Sequence, residues 1–282
     1  MKILKESFVS RTKLIRGALV AVLVTGFVVQ SEAQIYTLSQ NGSSVQVNLT
    51  PGSAGVSDWL LNGVNQLNQQ WFYYREGSSG PQYSIDTIAG PSSITFLPST
   101  LLMATYANST ISVKTTYTFG APGNGTATLS EAITVANPSS LSQTYHFFQY
   151  SDFWLGGVPG GQSVQFYNNG APTYYEVIQT GGTGRLVETA QSPSAGVTSE
   201  VQAGLYDGTL LGIATVPGLT LNNTLSAGPG NVVYAYEWDA TLLPGGSFQI
   251  SKILTVPEPA SMVLISSGML VLALVHRRRR GA

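Results

Sequence analysis

The chain has 282 residues, a formal net charge of −1 and no cysteine. The near-neutral total hides an acidic body, because residues 34–256 hold four Lys or Arg against eleven Asp or Glu, a net charge of −7. This charge excludes nucleic acid as a partner, since phosphates require clustered cations, and it does not fit an anionic membrane surface. The absence of cysteine excludes a disulfide framework, a thiol nucleophile and a Cys-based zinc site.

The first 33 residues have the pattern of a secretory signal. Five basic residues precede a 13-residue apolar run, 17–29, which is short for a membrane span of about 20 residues. Small Ser31 and Ala33 follow, two positions apart. The pattern predicts a helical signal peptide over residues 1–33, with signal peptidase cutting between Ala33 and Gln34.

The segment 34–255 has the texture of a single extracellular β domain. Short runs rich in Val, Ile, Thr, Tyr and Phe alternate with Gly-, Pro- and Asn-containing turns. In "TISVKTTYTF", every second residue from Ile111 to Phe119 shares one face, and Lys114 falls on the other. We therefore predict an all-β, antiparallel β-sandwich, of the large two-sheet kind. Two smaller sandwiches, divided near residues 156–162, are the alternative.

One body segment has a spacing near that of a helix. "SDWLLNGVNQLNQQW", residues 57–71, places apolar side chains near a period of 3.6, with Asp58 as a candidate cap. Gly63 interrupts the pattern, so the segment is expected to form a short helix or an irregular loop.

The sequence offers little catalytic chemistry. His146 is the single histidine between the two terminal segments, and there is no G-x-S-x-G motif. We interpret it as a hydrogen-bonded strand histidine. We predict no catalytic residue, no metal site and no cofactor, and a body that is not an enzyme. A glycoside-hydrolysing carboxylate pair remains an alternative, and Glu237 and Asp239 lie two apart on one strand face. The other candidate carboxylates are Glu131, Asp152, Glu176 and Glu188.

Two aromatic clusters could contact sugars. "QQWFYYREG" and "TYHFFQYSDFW" should place some of their rings outward, because neighbouring strand residues point to opposite faces. Exposed aromatic rings stack well on sugar rings. Trp71, Tyr73 and Trp154 are the candidate glycan contacts, and core packing is the alternative explanation for both clusters.

The tail, 256–282, has three consecutive parts: a Pro-Glu-Pro motif, a 16-residue apolar run over 260–275 and a basic end. The basic end should stay in the cytoplasm while the signal sends the body across the membrane. We therefore expect a transmembrane sorting helix that anchors the exported body for a short time. The motif residues are Pro257, Glu258 and Pro259, and the basic stop consists of Arg277, Arg278, Arg279 and Arg280.

These three parts, in "VPEPASMVLISSGMLVLALVHRRRR", resemble the PEP-CTERM sorting signal of Gram-negative bacteria. The resemblance implies processing by an exosortase, transient insertion in the inner membrane, and a final place at the cell surface or outside the cell. It also implies an association with exopolysaccharide or biofilm. We therefore expect an exported surface or matrix protein with a non-catalytic β-rich body. A secreted carbohydrate-binding module and a glycoside-acting enzyme are the alternatives.

Overall fold

The computed structural model describes residues 34–123, 126–168, 174–181 and 184–257. This part of the chain is almost entirely β, in two antiparallel sheets, so the all-β sandwich prediction is confirmed. No helix among these residues is long and apolar enough to cross a membrane. The predicted signal and tail helices lie outside the described residues, as do Ala33, Glu258, Pro259, Arg277, Arg278, Arg279 and Arg280.

Sheet 1 contains nine strands of the described chain, and its main path runs β1-β2-β3-β5-β11-β17-β15, with β4 beside β3 and β6 beside β5. Their bounds are β1 Ile35–Gln40, β2 Ser43–Asn48, β3 Gly55–Leu61, β4 Val64–Asn65, β5 Leu67–Glu76, β6 Tyr83–Ser84, β11 Gln143–Phe153, β15 Thr198–Leu205 and β17 Val232–Leu242. Two short 3-10 helices, Ile85–Thr87 and Leu155–Gly157, follow β6 and β11.

Sheet 2 also contains nine strands within the described ranges, in the order β16-β12-β13-β14-β18-β10-β9-β8-β7. Their bounds are β7 Ser93–Leu97, β8 Leu101–Ala107, β9 Ser112–Gly120, β10 Thr126–Ala136, β12 Gln162–Asn168, β13 Tyr174–Gly181, β14 Gly184–Gln191, β16 Ser226–Gly230 and β18 Ser247–Pro257. Strands from both sides of 156–162 occur in each sheet, because β11 pairs with β17 and β10 pairs with β18.

The core lies between the two sheets and is rich in aromatic rings. Phe166 of sheet 2 packs edge-on against Tyr234 and Tyr236 of sheet 1, with ring centroids 5.8 and 5.3 Å apart. Trp238 stacks on Tyr236 at 5.3 Å. Edge and offset contacts of this kind add to the free energy that area burial provides. Both sheets therefore contribute to one continuous hydrophobic core.

Strand β9 shows how side-chain alternation produces this core. Val113, Thr115, Tyr117 and Phe119 are buried, and Lys114 between them is exposed. The period of two predicted from the sequence places the same residues inward. The predicted faces of this segment are confirmed.

The helix or loop expected over 57–71 is wrong. The segment forms β3, a tight turn at Asn62 and Gly63, the short β4 and the start of β5. Asn62 and Gly63 both have positive φ, 50° and 79°. Asn-Gly pairs favour such two-residue hairpin turns, since both residues tolerate the left-handed conformation. The apolar spacing instead reflects burial on the two faces of sheet 1.

An ionic network is buried inside the sandwich. Lys252 of β18 contacts Glu131 of β10 directly, and its Nζ lies 3.1 Å from Oε1 of Glu188 on β14. All three residues are at most 2% exposed. Sheet 1 supplies the remaining partners, because Gln70 donates to Glu131 and Tyr234 donates to Glu188. The network therefore joins the two sheets through polar contacts inside the core.

The outer face of sheet 1 is partly covered by residues 206–225, here termed the cover segment. Leu211, Ile213 and Leu221 of this segment pack on Phe148 and Tyr150 of β11. Two backbone hydrogen bonds, from Gly218 to Gly80 at 2.6 Å and from Ala203 to Thr224 at 2.8 Å, fasten it to its surroundings. The cover segment therefore shields part of a sheet face that would otherwise be open to water.

Candidate functional site

Four neighbouring strands of sheet 1 place a cluster of charged side chains on the outer face. His146 of β11 lies opposite Arg75 of β5 on one side and Asp239 of β17 on the other. Glu237 is two residues before Asp239 and so shares its face, and it lies opposite Glu200 of β15. Strand register therefore brings together five residues that are far apart in sequence.

The contacts within this cluster are short and largely shielded from water. Nδ1 of His146 lies 2.6 Å from Oδ1 of Asp239 and 3.3 Å from Oε1 of Glu237. The side chains of His146, Glu237 and Asp239 are 12, 0 and 21% exposed. The second ring nitrogen of His146, Nε2, is therefore buried without a hydrogen-bond partner among the described residues.

The cover segment is attached to this cluster by two hydrogen bonds. Arg75 donates from Nη1 to the carbonyl of Leu219 at 2.6 Å, and the backbone N–H of Leu221 donates to Oε2 of Glu237 at 2.7 Å. The guanidinium of Arg75 also lies over the ring of Phe148, 5.7 Å from its centroid. Burial lowers the pKa of Arg75, although Glu237 and Asp239 act against this shift. The cover segment therefore lies against Arg75 and Glu237 and shields them from water.

His146 is held in its charged form. Burial lowers the pKa of His146, but the hydrogen bonds to Asp239 and Glu237 outweigh that effect and raise it to about 9. A nearby carboxylate stabilises the imidazolium, which accounts for the direction of the shift. At neutral pH, His146 is therefore a proton donor.

The pKa values of the carboxyl groups in the cluster are also raised, but for a different reason. Burial raises the pKa of Glu237, and the charge of Asp239 adds to this effect. Burial, together with the charges of Asp239 and Glu237, raises the pKa of Glu200 to about 7. Oε2 of Glu200 is buried without a partner among the described residues. Glu200 is therefore close to half-ionised at neutral pH and can accept a proton.

The cluster combines a proton donor and a proton acceptor with separate pKa values, the arrangement expected of acid–base chemistry. The same residues could hold a cation, because His146, Glu237 and Asp239 each offer one ligand atom and these atoms lie within 4.8 Å of one another. With one nitrogen and two carboxylate donors, such a site would suit a borderline divalent metal. The imidazolium would then have to lose its proton, so the two uses exclude each other.

The charge state of His146 predicts a pH dependence of stability. Its folded-state pKa of about 9 lies above the ordinary 6.5, so its stabilising effect is complete below about pH 6.5 and is lost as the pH rises through about 9. We expect the free energy of unfolding in urea to fall over this range. In His146→Gln, the decline between these two pH values should be smaller. An equal decline in both proteins would contradict the assignment.

The candidate glycan contacts separate into two places. Trp71 and Tyr73 line an open cavity of about 280 Å³, together with Gln69, Asp86 and neighbouring backbone. Trp71 is 1% exposed, and its Nε1 donates to Ser84 at 2.8 Å and to Asp86 at 3.1 Å. Trp154, which is partly buried, is not among the residues that line this cavity.

The cavity and the charged cluster share one side of strand β5. Trp71, Tyr73 and Arg75 are spaced two apart, and they lie opposite Tyr150, Phe148 and His146. Because a strand advances about 3.3 Å per residue, Tyr73 lies about 7 Å along the strand from Arg75. The cavity and the charged cluster are therefore close together along one strand.

Sequence reasoning identified part of this site. The shared face of Glu237 and Asp239 follows from their spacing alone, and the structure places both beside His146. The hydrogen-bonded state of His146 was also expected, but its partners were not. Arg75 and Glu200 were missed, because only the pairing of β5, β11, β17 and β15 brings them there. The burial of Arg75 and the partial burial of Glu200 have no local sequence signal.

Solved structures are similar to this chain at low sequence identity. A bacterial glucoamylase complexed with acarbose matches at 10% identity over 83% of this chain and 35% of its own, with a TM-score of 0.51. This chain thus spans about a third of that protein. A galactose mutarotase-like protein from Lactobacillus casei matches at 8% identity, over 79% of this chain and 99% of its own, with a TM-score of 0.49. A putative aldose 1-epimerase from Escherichia coli matches at 9% identity, over 80% and 99%, with a TM-score of 0.48. No curated protein sequence matches the chain.

The match to the glucoamylase, with its TM-score of 0.51, corrects the expectation that the body is not an enzyme. The expectation rested on the absence of a catalytic motif in the sequence. The fold found here also occurs in part of a sugar-acting enzyme. In addition, residues without a local motif meet across strands, as His146 and Asp239 do. A missing linear motif therefore does not exclude catalysis on this fold.

The tail has an independent match. The family model of the PEP-CTERM protein-sorting motif covers residues 255–280, which includes the Pro-Glu-Pro motif, the apolar run and the arginines. Such a motif implies export, transient membrane anchoring and processing by an exosortase. The chain therefore carries a PEP-CTERM protein-sorting motif at residues 255–280, which supports sorting by an exosortase.

Proposed function

We propose that the exported body binds a saccharide on the outer face of sheet 1 and transfers protons at its anomeric centre. The observation that carries this proposal is the pairing of a charged His146 of β11 with Glu237 and Asp239 of the neighbouring β17. The fold supports it only in a general way, since one fold serves many functions.

The chemistry that fits this cluster best is the interconversion of sugar anomers. Opening a hemiacetal ring requires a base that removes the proton of the anomeric hydroxyl and an acid that protonates the ring oxygen. Glu200 is the proposed base and His146 the proposed acid, because their pKa values of about 7 and 9 lie on either side of a mildly alkaline pH. Asp239 and Glu237 hold the imidazole in place.

The proposed ligand is a sugar unit of the extracellular polysaccharide that surrounds the exporting cell. Trp71 and Tyr73 line the adjacent cavity with polar groups, and such a mixture suits a sugar with one apolar face and several hydroxyls. We further propose that the mature protein begins at Gln34, after cleavage by signal peptidase. It would end near Pro257–Glu258–Pro259 and remain at the cell surface or be released.

Polarimetry of freshly dissolved aldoses tests this function. We expect the protein to accelerate anomer interconversion above the buffer rate. His146→Gln and Glu200→Gln should each reduce that rate by a factor of about 10²–10⁴, the usual contribution of a positioned acid or base. Lys114→Gln, on the exposed face of sheet 2, is the matched control and should retain the full rate. No acceleration by the unaltered protein across a panel of hexoses and pentoses would refute the proposed activity.

A further inference from the structure

The buried network around Lys252 has a geometry that suits covalent chemistry. Lys252 and Glu131 are directly opposite each other in the register of β18 and β10. Directly opposed residues in an antiparallel pair have Cβ atoms about 4.5–5.5 Å apart, which lets their side chains meet. The amine and the carboxyl group are in contact, and both residues are at most 2% exposed.

We propose that Lys252 and Glu131 form an intramolecular amide bond, an isopeptide cross-link between β18 and β10, with Glu188 as the proton carrier. Nothing in this inference depends on the saccharide site, which lies on the opposite face of sheet 1.

Each group of the network has a role in the reaction. Oε1 of Glu188 lies 3.1 Å from Nζ of Lys252 and can take a proton from it. Tyr234 donates to Oε2 of Glu188 at 2.5 Å, and Gln149 donates to Oε1 at 3.2 Å, so both oxygens of the carboxylate are held in place. Gln70 donates to Oε1 of Glu131 at 2.6 Å, where it can stabilise negative charge that develops on that oxygen.

The step balances without any further reactant. A proton first passes from the ammonium of Lys252 to Oε2 of Glu131, which gives a neutral amine and a carboxylic acid. The lone pair of Nζ then forms a bond to Cδ of Glu131, and the bond from Cδ to Oε2 breaks. Glu188 carries a second proton from Nζ to the departing hydroxyl group, which leaves as water. An ammonium and a carboxylate thus become one neutral amide and one water molecule. The oxygen that remains is Oε1, already bonded to Gln70, and the new amide N–H can donate to Glu188.

The surroundings favour this outcome over a permanent ion pair. Burying two charges is costly even after the protein and its solvent relax, and the amide removes both charges. Burial raises the pKa of Glu131, although the charge of Lys252 opposes the shift. The protonated carboxyl group is the better electrophile. The ring of Phe72, with its centroid 5.5 Å from Nζ, covers the amine and helps keep water from the reacting atoms.

Mass spectrometry of the mature protein tests the proposal. After the ends of the chain are identified, the intact mass under denaturing conditions should be lower than the sequence mass by one water. Trypsin should fail to cut after Lys252, and peptide 115–185, which contains Glu131, should be joined to the peptide that begins at residue 186. Full mass, with normal cleavage after Lys252 in the unaltered protein, would overturn the inference.

Variants identify the atoms involved. Lys252→Met should have the full sequence mass, and so should Glu188→Gln, which keeps both reacting groups but removes the proton carrier. Lys114→Met, a lysine variant on the exposed face of β9, should still show the loss of one water. A cross-link that persists in Lys252→Met would place the bond elsewhere and refute the assignment. Because the unaltered protein alone decides whether a link exists, poor folding of a variant does not weaken the test.

Discussion

Replacing Lys252 with methionine is expected to lower the free energy of unfolding by about 3–5 kcal/mol. Whether Lys252 is an ammonium or part of the proposed amide, the substitution leaves the carboxylates of Glu131 and Glu188 buried without a partner from position 252, and none of the three residues is more than 2% exposed. Methionine nearly conserves the volume of the side chain, so the loss does not report a cavity. Urea denaturation at neutral pH measures the change.

Two comparison proteins make this expectation specific. Lys114→Met, at an exposed position of β9, should change the free energy of unfolding by no more than about 0.5 kcal/mol. A triple variant that combines Lys252→Met with Glu131→Gln and Glu188→Gln should recover much of the loss, since neutral groups replace the unpaired charges. A triple variant as unstable as Lys252→Met would show that charge is not the cause.

Replacing Trp238 with alanine should also cost about 3–5 kcal/mol, the range for removing a buried tryptophan. Trp238 is 1% exposed, stacks on Tyr236 at 5.3 Å with planes 9° apart, and lies 6.5 Å from the ring of Phe147. The loss combines removal of apolar area with the cavity that remains, because strands pinned on both sides of β17 cannot collapse into it.

Thermal or urea unfolding measures this effect. Leu243→Ala is a suitable control, since Leu243 is a large apolar residue that is 71% exposed. It should change the free energy of unfolding by less than about 0.5 kcal/mol. A loss below about 1 kcal/mol in Trp238→Ala would mean that the aromatic stack contributes little to the stability of the sandwich.

The fold could be predicted from local sequence where one face of a strand is apolar. In β9, the alternation from Val113 to Phe119 specifies both the strand and its buried side. The segment 57–71 was misjudged because both faces of β3 and β5 are buried, and the mixed pattern resembles a helical one. Asn62 and Gly63 indicated the correct structure, because an Asn-Gly pair predicts a hairpin turn more reliably than this weak apolar spacing predicts a helix.

The candidate site could be predicted only in part, because the strands that pair to form it are far apart in the sequence. Glu237 and Asp239 share a face through local spacing, so their proximity could be predicted. The partner of Asp239 is His146, about ninety residues earlier, and the sequence contains no rule for which strands of a large sheet become neighbours. The burial of Lys252 and Glu131 could not be predicted for the same reason. Each strand considered alone suggests an ordinary surface residue, and only strand pairing brings the two together.

The position of β18 has a mechanical consequence for an anchored protein. This strand lies in the interior of sheet 2, between β14 and β10, and its last residue, Pro257, is still paired with Thr126 where the sorting motif begins. While the tail holds the protein in the membrane, any pull on the body acts along β18. Because that strand is hydrogen-bonded on both sides, the force is shared in shear between two ladders, whereas an edge strand would peel away from one. The fold therefore places its tether on a strand that is well suited to resist extraction.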